Sequence, residues 1–169
     1  MKMKKPGKEK SEQIKNLKIL IMDVDGVLTD AGMYYTESGD EFKKFNARDG
    51  MGIELWRNSD GKTMFVSGEN LELIKRRAEK LKIDYVLLGI KDKYNAVKEV
   101  LDKGGIKLEE AAFIGDDIND LPLLQKVGFS ACVADGIEEF KKVVDYITKR
   151  KGGEGAVREL VDFLLKYKN

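Results

Sequence analysis

Apolar residues along this chain gather into short, nearly continuous runs. Residues 17–22 (LKILIM) form the first, and similar runs recur at 63–66, 85–88, 111–114 and 129–133. Runs this short, rich in branched residues and without alternation, predict strands covered on both faces, as in a parallel sheet. Between them the apolar positions take helical spacing over 51–58, 71–82, 93–103, 120–127 and 156–167. Alternating strand and helix predicts right-handed crossovers and an α/β fold, a three-layer, Rossmann-like arrangement around a parallel central sheet. One segment breaks the rhythm. Residues 33–36 and 41–45 flank the turn-prone Glu37-Ser38-Gly39-Asp40, which predicts a β-hairpin protruding just after the first strand. Residues 1–16 read as a flexible N-terminal extension, leaving 17–169 as a single domain.

Composition narrows the chemistry. A chain of 169 residues with 42% hydrophobic content is the size of one domain able to bury about two-thirds of its unfolded surface. Its 31 basic and 30 acidic residues are interspersed and nearly cancel, so no dedicated nucleic-acid surface is expected. No apolar run approaches the ~18 residues of a membrane span, and the basic start is followed by no apolar stretch. A cytoplasmic protein without membrane or nucleic-acid partners is the expectation. The single cysteine, Cys132, lies in an apolar run and reads as a buried, inert thiol. Histidine is absent. Serine-histidine and cysteine-histidine hydrolysis and histidine-rich zinc sites are therefore excluded, leaving carboxylates, lysines, hydroxyls, backbone amides and an oxygen-liganded metal.

In an open α/β sheet ligands bind beyond the carboxyl ends of the strands. Here the first strand runs into Asp23-Val24-Asp25-Gly26 and the second into Ser67-Gly68. Lys93 opens the helix after the third, and Gly115-Asp116-Asp117-Ile118-Asn119-Asp120 follows the fourth. Clustered carboxylates invite a hard divalent cation, and Mg2+ pairs one or two carboxylates with phosphate oxygens. A carboxylate beside a metal and a lysine is placed to attack phosphorus, and a second two residues away to protonate the leaving alkoxide and then activate water. Ser67 and the amides near Val24 and Gly68 would hold the other oxygens.

These motifs, in this order, resemble the haloacid dehalogenase superfamily of phosphatases over about residues 17–166. The resemblance implies Asp23 as nucleophile and metal ligand, and Asp25 as general acid/base and a ligand through its carbonyl. It also implies Ser67 and Lys93 as phosphate anchors, Asp116 as the remaining protein ligand of Mg2+, and Asp117 and Asp120 as supporting acids. Only 41 residues separate Asp25 from Ser67 and 25 separate Ser67 from Lys93, too few for a cap domain. Capless relatives with such a hairpin assemble as homotetramers, so the 33–45 hairpin is expected to mediate assembly. The motifs DVDGVLTD, FNARDG and KGGEGAVRE look like the branch acting on 3-deoxy-2-keto sugar acid phosphates, either 3-deoxy-D-manno-octulosonate (KDO) 8-phosphate or the nine-carbon 2-keto-3-deoxynononate (KDN) or N-acylneuraminate 9-phosphates. That resemblance assigns substrate binding to Asn46, Arg48, Asp49, Gly50, Gly68, Glu69, Arg77, Lys93 and Arg158, and suggests that Gly152 to Gly155 fold over a neighbouring site. Two departures lean toward a nine-carbon substrate, Ser67-Gly68-Glu69 where the octulosonate enzymes usually carry Thr-Gly-Arg and Glu54 where they usually carry a basic residue, while the wide spread of the octulosonate pathway leans toward eight and keeps the two readings level. A non-catalytic accessory domain related to those fused to sialic-acid cytidylyltransferases stays open as an alternative. So does a receiver-like phospho-switch, although its acceptor carboxylate belongs after the third strand, where this chain has Leu88-Gly89.

Overall fold

The computed structural model describes residues 6–168. Its parallel sheet comprises β1 (Ile19–Asp23), β4 (Lys62–Val66), β5 (Tyr85–Leu87), β6 (Ala111–Gly115), β7 (Phe129–Cys132) and β8 (Tyr146–Ile147), in the order β5-β4-β1-β6-β7-β8. Every residue of β1 is buried, because helices cover both faces. Leu20, Met22, Phe65, Ile114 and Ala131 point to one face. There they meet Ile53 and Trp56 of α2 (Ala47–Asn58), Ile74 and Ala78 of α3 (Glu72–Leu81), and Leu160 and Leu164 of α7 (Ala156–Lys168). Ile19, Ile21, Met64, Val66 and Phe113 point to the other. They meet Val97 and Leu101 of α4 (Lys93–Lys103), Leu123 and Leu124 of α5 (Leu121–Leu124), and Phe140 of α6 (Glu138–Lys141). The period-two alternation thus feeds two separate cores.

The chain leaves β1 for β4 on one side and later returns to β6 on the other. The strand order therefore reverses at β1, and the connections leaving the carboxyl ends of β1, β4 and β6 part to open a crevice. The expected hairpin is present but short: β2 (Tyr34–Tyr35) pairs antiparallel with β3 (Glu41–Phe42), and Thr29 bridges Phe45. Among the described residues no cap domain interrupts the fold.

Two expectations need correction. Part of the segment read as a flexible extension is the helix α1 (Lys8–Lys15), anchored because Ile14, with the following Leu17, is fully buried; residues 1–5 lie outside the described residues. The helix expected over 120–127 is a 3-10 turn (Ile118–Asp120) followed by the short α5, with Pro122 in its first turn. The glycines at 152–155 fold against their own chain: Gly153 donates to the Val27 carbonyl (3.0 Å), and Gly152 lies so close to Gly26 that an added methyl would stand 1.8 Å from its carbonyl oxygen. Cys132 is buried and its thiol is pushed up to about 12 by that burial, as an inert core cysteine should be. Among the described residues no helix is long and apolar enough to cross a membrane.

Candidate active site

Asp23 closes β1, Ser67 follows β4, Asp116 follows β6 and Lys93 is the first residue of α4. Lys93 is 3% exposed, and its Nζ donates to Asp23 Oδ1 (2.7 Å) and Asp120 Oδ1 (2.6 Å). The other oxygen of Asp120 accepts from the Asp116 amide (3.2 Å), which turns the chain so that Asp116 faces Asp23. One carboxylate oxygen from each of Asp23, Asp116 and Asp120 lies within 4.8 Å of the others. Gly26, at φ +84°, leaves room for that approach, since a methyl there would meet Asp116 Oδ2 at 2.0 Å. Asp25 reaches the same cavity, of about 250 Å³, with Oδ2 accepting from the Ser67 hydroxyl (3.2 Å). On its other side Lys43 Nζ stands 2.7 Å from Asp25 Oδ1.

Two buried acids and the half-buried Asp116 crowd around one ammonium, and the imbalance shows in their protonation. Burial first, then the charge of Asp120, raises Asp23, with Lys93 only partly opposing. The same two causes push Asp116 up to about 7. Burial raises Asp120 despite Lys93. Burial alone would lower Lys93, but Asp23 and Asp120 more than offset it and hold its pKa high. The donor set fits a hard divalent cation: all oxygens, convergent, and carrying negative charge that Lys93 alone does not balance.

A stability prediction follows from the raised acids. Asp116 titrates near 4 when unfolded and near 7 when folded, so between those values the native state holds more protons. Metal-free protein should therefore lose stability as pH rises from 5 to 7.5, and saturating Mg2+ should raise the Tm more at pH 7.5 than at pH 5. Thermal denaturation with and without chelator checks this; an equal Mg2+ effect at both pH values would mean the acids are not the cation site.

Of the residues singled out for a sugar, Gly68 and Glu69 line the same cavity as Lys93. The others lie outside that cavity, each among contacts of its own. Asn46 caps α2, its Oδ1 accepting from the Arg48 amide (2.9 Å) and its Nδ2 donating to the Gly153 carbonyl (3.1 Å). Asp49 is 1% exposed and caps α7, its Oδ1 accepting from the Arg158 amide (2.9 Å). Arg77 lies over the Phe45 ring and donates to the Asn46 carbonyl (3.2 Å), while Gly50 lies against it inside α2. Arg48 and Arg158 line a separate cleft beside α7, where Arg158 is paired with Asp162 (2.9 Å). Asp117 lines the acidic cavity but is exposed and caps its own turn through the Ile118 amide. Glu54 is exposed on α2. Lys43, whose side chain is 3% exposed and touches Asp25, was not distinguishable in the sequence from the many other lysines.

The profile of a family described as haloacid dehalogenase-like hydrolase matches residues 89–160. Over 150 residues the chain is 41% identical to the 3-deoxy-D-manno-octulosonate 8-phosphate phosphatase KdsC of Escherichia coli K12, covering 89% of this chain and 80% of that protein. This chain belongs to the haloacid dehalogenase-like hydrolases. KdsC of Haemophilus influenzae is 37% identical over 155 residues, covering 92% of this chain and 86% of the relative. The crystal structure of the Moraxella catarrhalis octulosonate 8-phosphate phosphatase, in complex with magnesium ion, phosphate ion and KDO, superposes with a TM-score of 0.92 at 37% identity, covering 95% of this chain and 92% of that one. Within the haloacid dehalogenase-like hydrolases the chain therefore stands among phosphoric monoester hydrolases.

Proposed function

We propose that this chain hydrolyses the phosphate monoester of a 3-deoxy-2-keto sugar acid, with KDO 8-phosphate the first candidate and KDN or N-acylneuraminate 9-phosphate the nine-carbon alternative. The observation that carries the reading is the buried Lys93 held between Asp23 and Asp120 with Asp116 facing them. Asp23, Asp116 and the carbonyl of Asp25 would hold Mg2+, with Asp120 supporting it from beside Lys93. Bound there, the cation supplies charge neutralisation of the phosphoryl oxygens.

The chain's own groups account for the rest. An Asp23 oxygen attacks phosphorus as the bond to the sugar oxygen breaks, and Asp25 gives its proton to that oxygen. Asp25 then takes a proton from water, whose oxygen attacks the phosphorus of the phospho-aspartate and releases phosphate. Lys93 and Ser67 orient the phosphoryl group throughout, and because both are buried they are preorganised rather than drawn from solvent. Asn46, Asp49, Gly50 and Arg77 act through the junction of α2, α3 and α7, not by touching the sugar from within one chain. Arg48 and Arg158 would meet a substrate carboxylate only across a subunit boundary.

Glu69 is the residue of the cavity rim on which chain length turns, since a carboxylate accepts from sugar hydroxyls but repels a second anion. Comparing kcat/KM for KDO 8-phosphate, KDN 9-phosphate, N-acetylneuraminate 9-phosphate and a hexose phosphate tests the substrate class. Preference for a sugar acid over the hexose phosphate is expected, and Glu69→Arg should shift the ratio toward KDO 8-phosphate by about 10-fold or more. An unchanged ratio would mean that Glu69 does not touch the sugar, and a preference for the hexose phosphate would remove the sugar-acid reading.

A homotetramer built through the 33–45 hairpin belongs to the same proposal. Met33, Tyr34, Tyr35 and Phe42 are between 44% and 61% exposed on that short ladder, an apolar surface that assembly would cover. Sedimentation at four times the 19.1 kDa of the chain is expected, and a monomer at micromolar concentration would contradict it.

A further inference from the structure

A lysine from the hairpin, its side chain buried, touches the acid/base carboxylate. Lys43 follows β3, yet its side chain is only 3% exposed, because it turns inward over the cavity instead of out to solvent as its neighbour Lys44 does at 54%. Its Nζ stands 2.7 Å from Asp25 Oδ1 and 3.3 Å from Glu41 Oε1. Lys93, the other cation lining the cavity among the described residues, pairs with Asp23 and Asp120 and not with Asp25. Lys43 therefore does not duplicate Lys93.

Asp25 is contacted at both oxygens: Ser67 donates a hydrogen bond to Oδ2 at 3.2 Å, and the Lys43 ammonium forms an ion pair with Oδ1 at 2.7 Å. When Ser67 turns its hydroxyl to a phosphoryl oxygen, the first of these contacts is given up and only Lys43 remains to keep the carboxyl aimed. A group that must sit within hydrogen-bond reach of the leaving oxygen loses rate steeply when its direction is no longer fixed. We propose that Lys43 is a positioning residue for catalysis, holding Asp25 in line with the leaving oxygen during phosphoryl transfer, with Glu41 fixing the ammonium in turn. This inference rests on the phosphatase reading above. It also ties the chemistry to the hairpin, since Glu41 and Lys43 both belong to it.

The leaving group separates this role from a structural one. An alkyl phosphate such as KDO 8-phosphate needs a proton on the departing oxygen as the phosphorus–oxygen bond breaks. A dinitrophenolate leaves as the stable anion and needs none. The ratio kcat/KM reports only steps through the first irreversible one, so the later attack of water, where Asp25 also serves, does not enter. Lys43→Met, which keeps the length and removes the charge, should lower kcat/KM for KDO 8-phosphate by about 10- to 100-fold and for 2,4-dinitrophenyl phosphate by less than about 3-fold. Lys43→Arg should recover most of the loss. Equal losses on the two substrates, or none on either, would overturn the proposal. Should Lys43→Met not fold, the same comparison on Glu41→Gln, which frees the ammonium from its second carboxylate, decides in the same way. Wild-type protein that releases phosphate from neither substrate would instead overturn the phosphatase reading itself.

Discussion

Asp23→Asn should abolish phosphate release, by on the order of 10⁴-fold or more, while the protein keeps its fold. The amide has the shape of the carboxylate but cannot attack phosphorus, so the covalent step has no nucleophile. Stability should move the other way from activity. Asp23 is 5% exposed and shares a single ammonium with Asp120 while Asp116 lies beside it. Removing one charge from three crowded acids relieves repulsion that Lys93 only partly compensates. Metal-free Asp23→Asn is therefore expected to melt no lower than metal-free wild type near neutral pH. A variant that keeps more than about a hundredth of the wild-type rate would deny Asp23 its role. One that is inactive because it has unfolded, seen as a lost thermal transition, would leave the site without its excess of negative charge.

The second large effect concerns a residue with no side chain. Gly26 follows Asp25 at φ +84°, and a methyl group added there would stand 2.0 Å from Asp116 Oδ2 and 2.7 Å from its carboxyl carbon. Gly26→Ala pays about 1–2 kcal/mol for the left-handed conformation and in addition must push Asp116 away. A displacement near 1 Å at a catalytic centre costs about 100-fold in rate. The expected result is a loss of at least that size in kcat/KM, together with weaker Mg2+ stabilisation of the fold, because Asp116 is the displaced group. Calorimetric titration with Mg2+ and steady-state kinetics check both. Wild-type Mg2+ affinity in Gly26→Ala would mean that Asp116 does not serve the cation.

Much of the fold and the acidic part of the site were legible in the sequence for one physical reason. Strands buried on both faces must be continuously apolar, so the residue where each run stops marks the carboxyl end of a strand. Asp23, Ser67 and Asp116 sit at such stops, and the sheet gathers them without further information. What escaped has equally physical causes. Helix α1 carries only Ile14 as a buried residue, too little to show as a stripe. Strand β8 is two residues long and owes its place to its neighbour β7. The part of α2 before Met51 begins at a cap, Asn46, whose side chain also reaches Gly153 across 107 residues of sequence.

The arginines lie away from the cavity for a different reason. The resemblance marks Arg48, Arg77 and Arg158 for a sugar carboxylate, and such a match in sequence does not say whether the cation serves its own chain's cavity or a neighbour's. Asp49 illustrates the same limit, because a buried acid capping a helix more than a hundred residues away looks, in sequence, like any other acid beside an arginine. Lys43 shows the converse: its function is set entirely by an inward turn that no periodicity records.

A cation held by Asp23 and Asp116 beside Lys93 is what the proposed phosphatase chemistry depends on. Phosphate release from KDO 8-phosphate, measured with saturating Mg2+ and again after complete chelation, tests it most directly. Steady release with Mg2+ that falls to background on chelation and returns on adding the metal back is the predicted result; release that persists without metal, or none from this substrate or its nine-carbon counterparts under any condition, would contradict it.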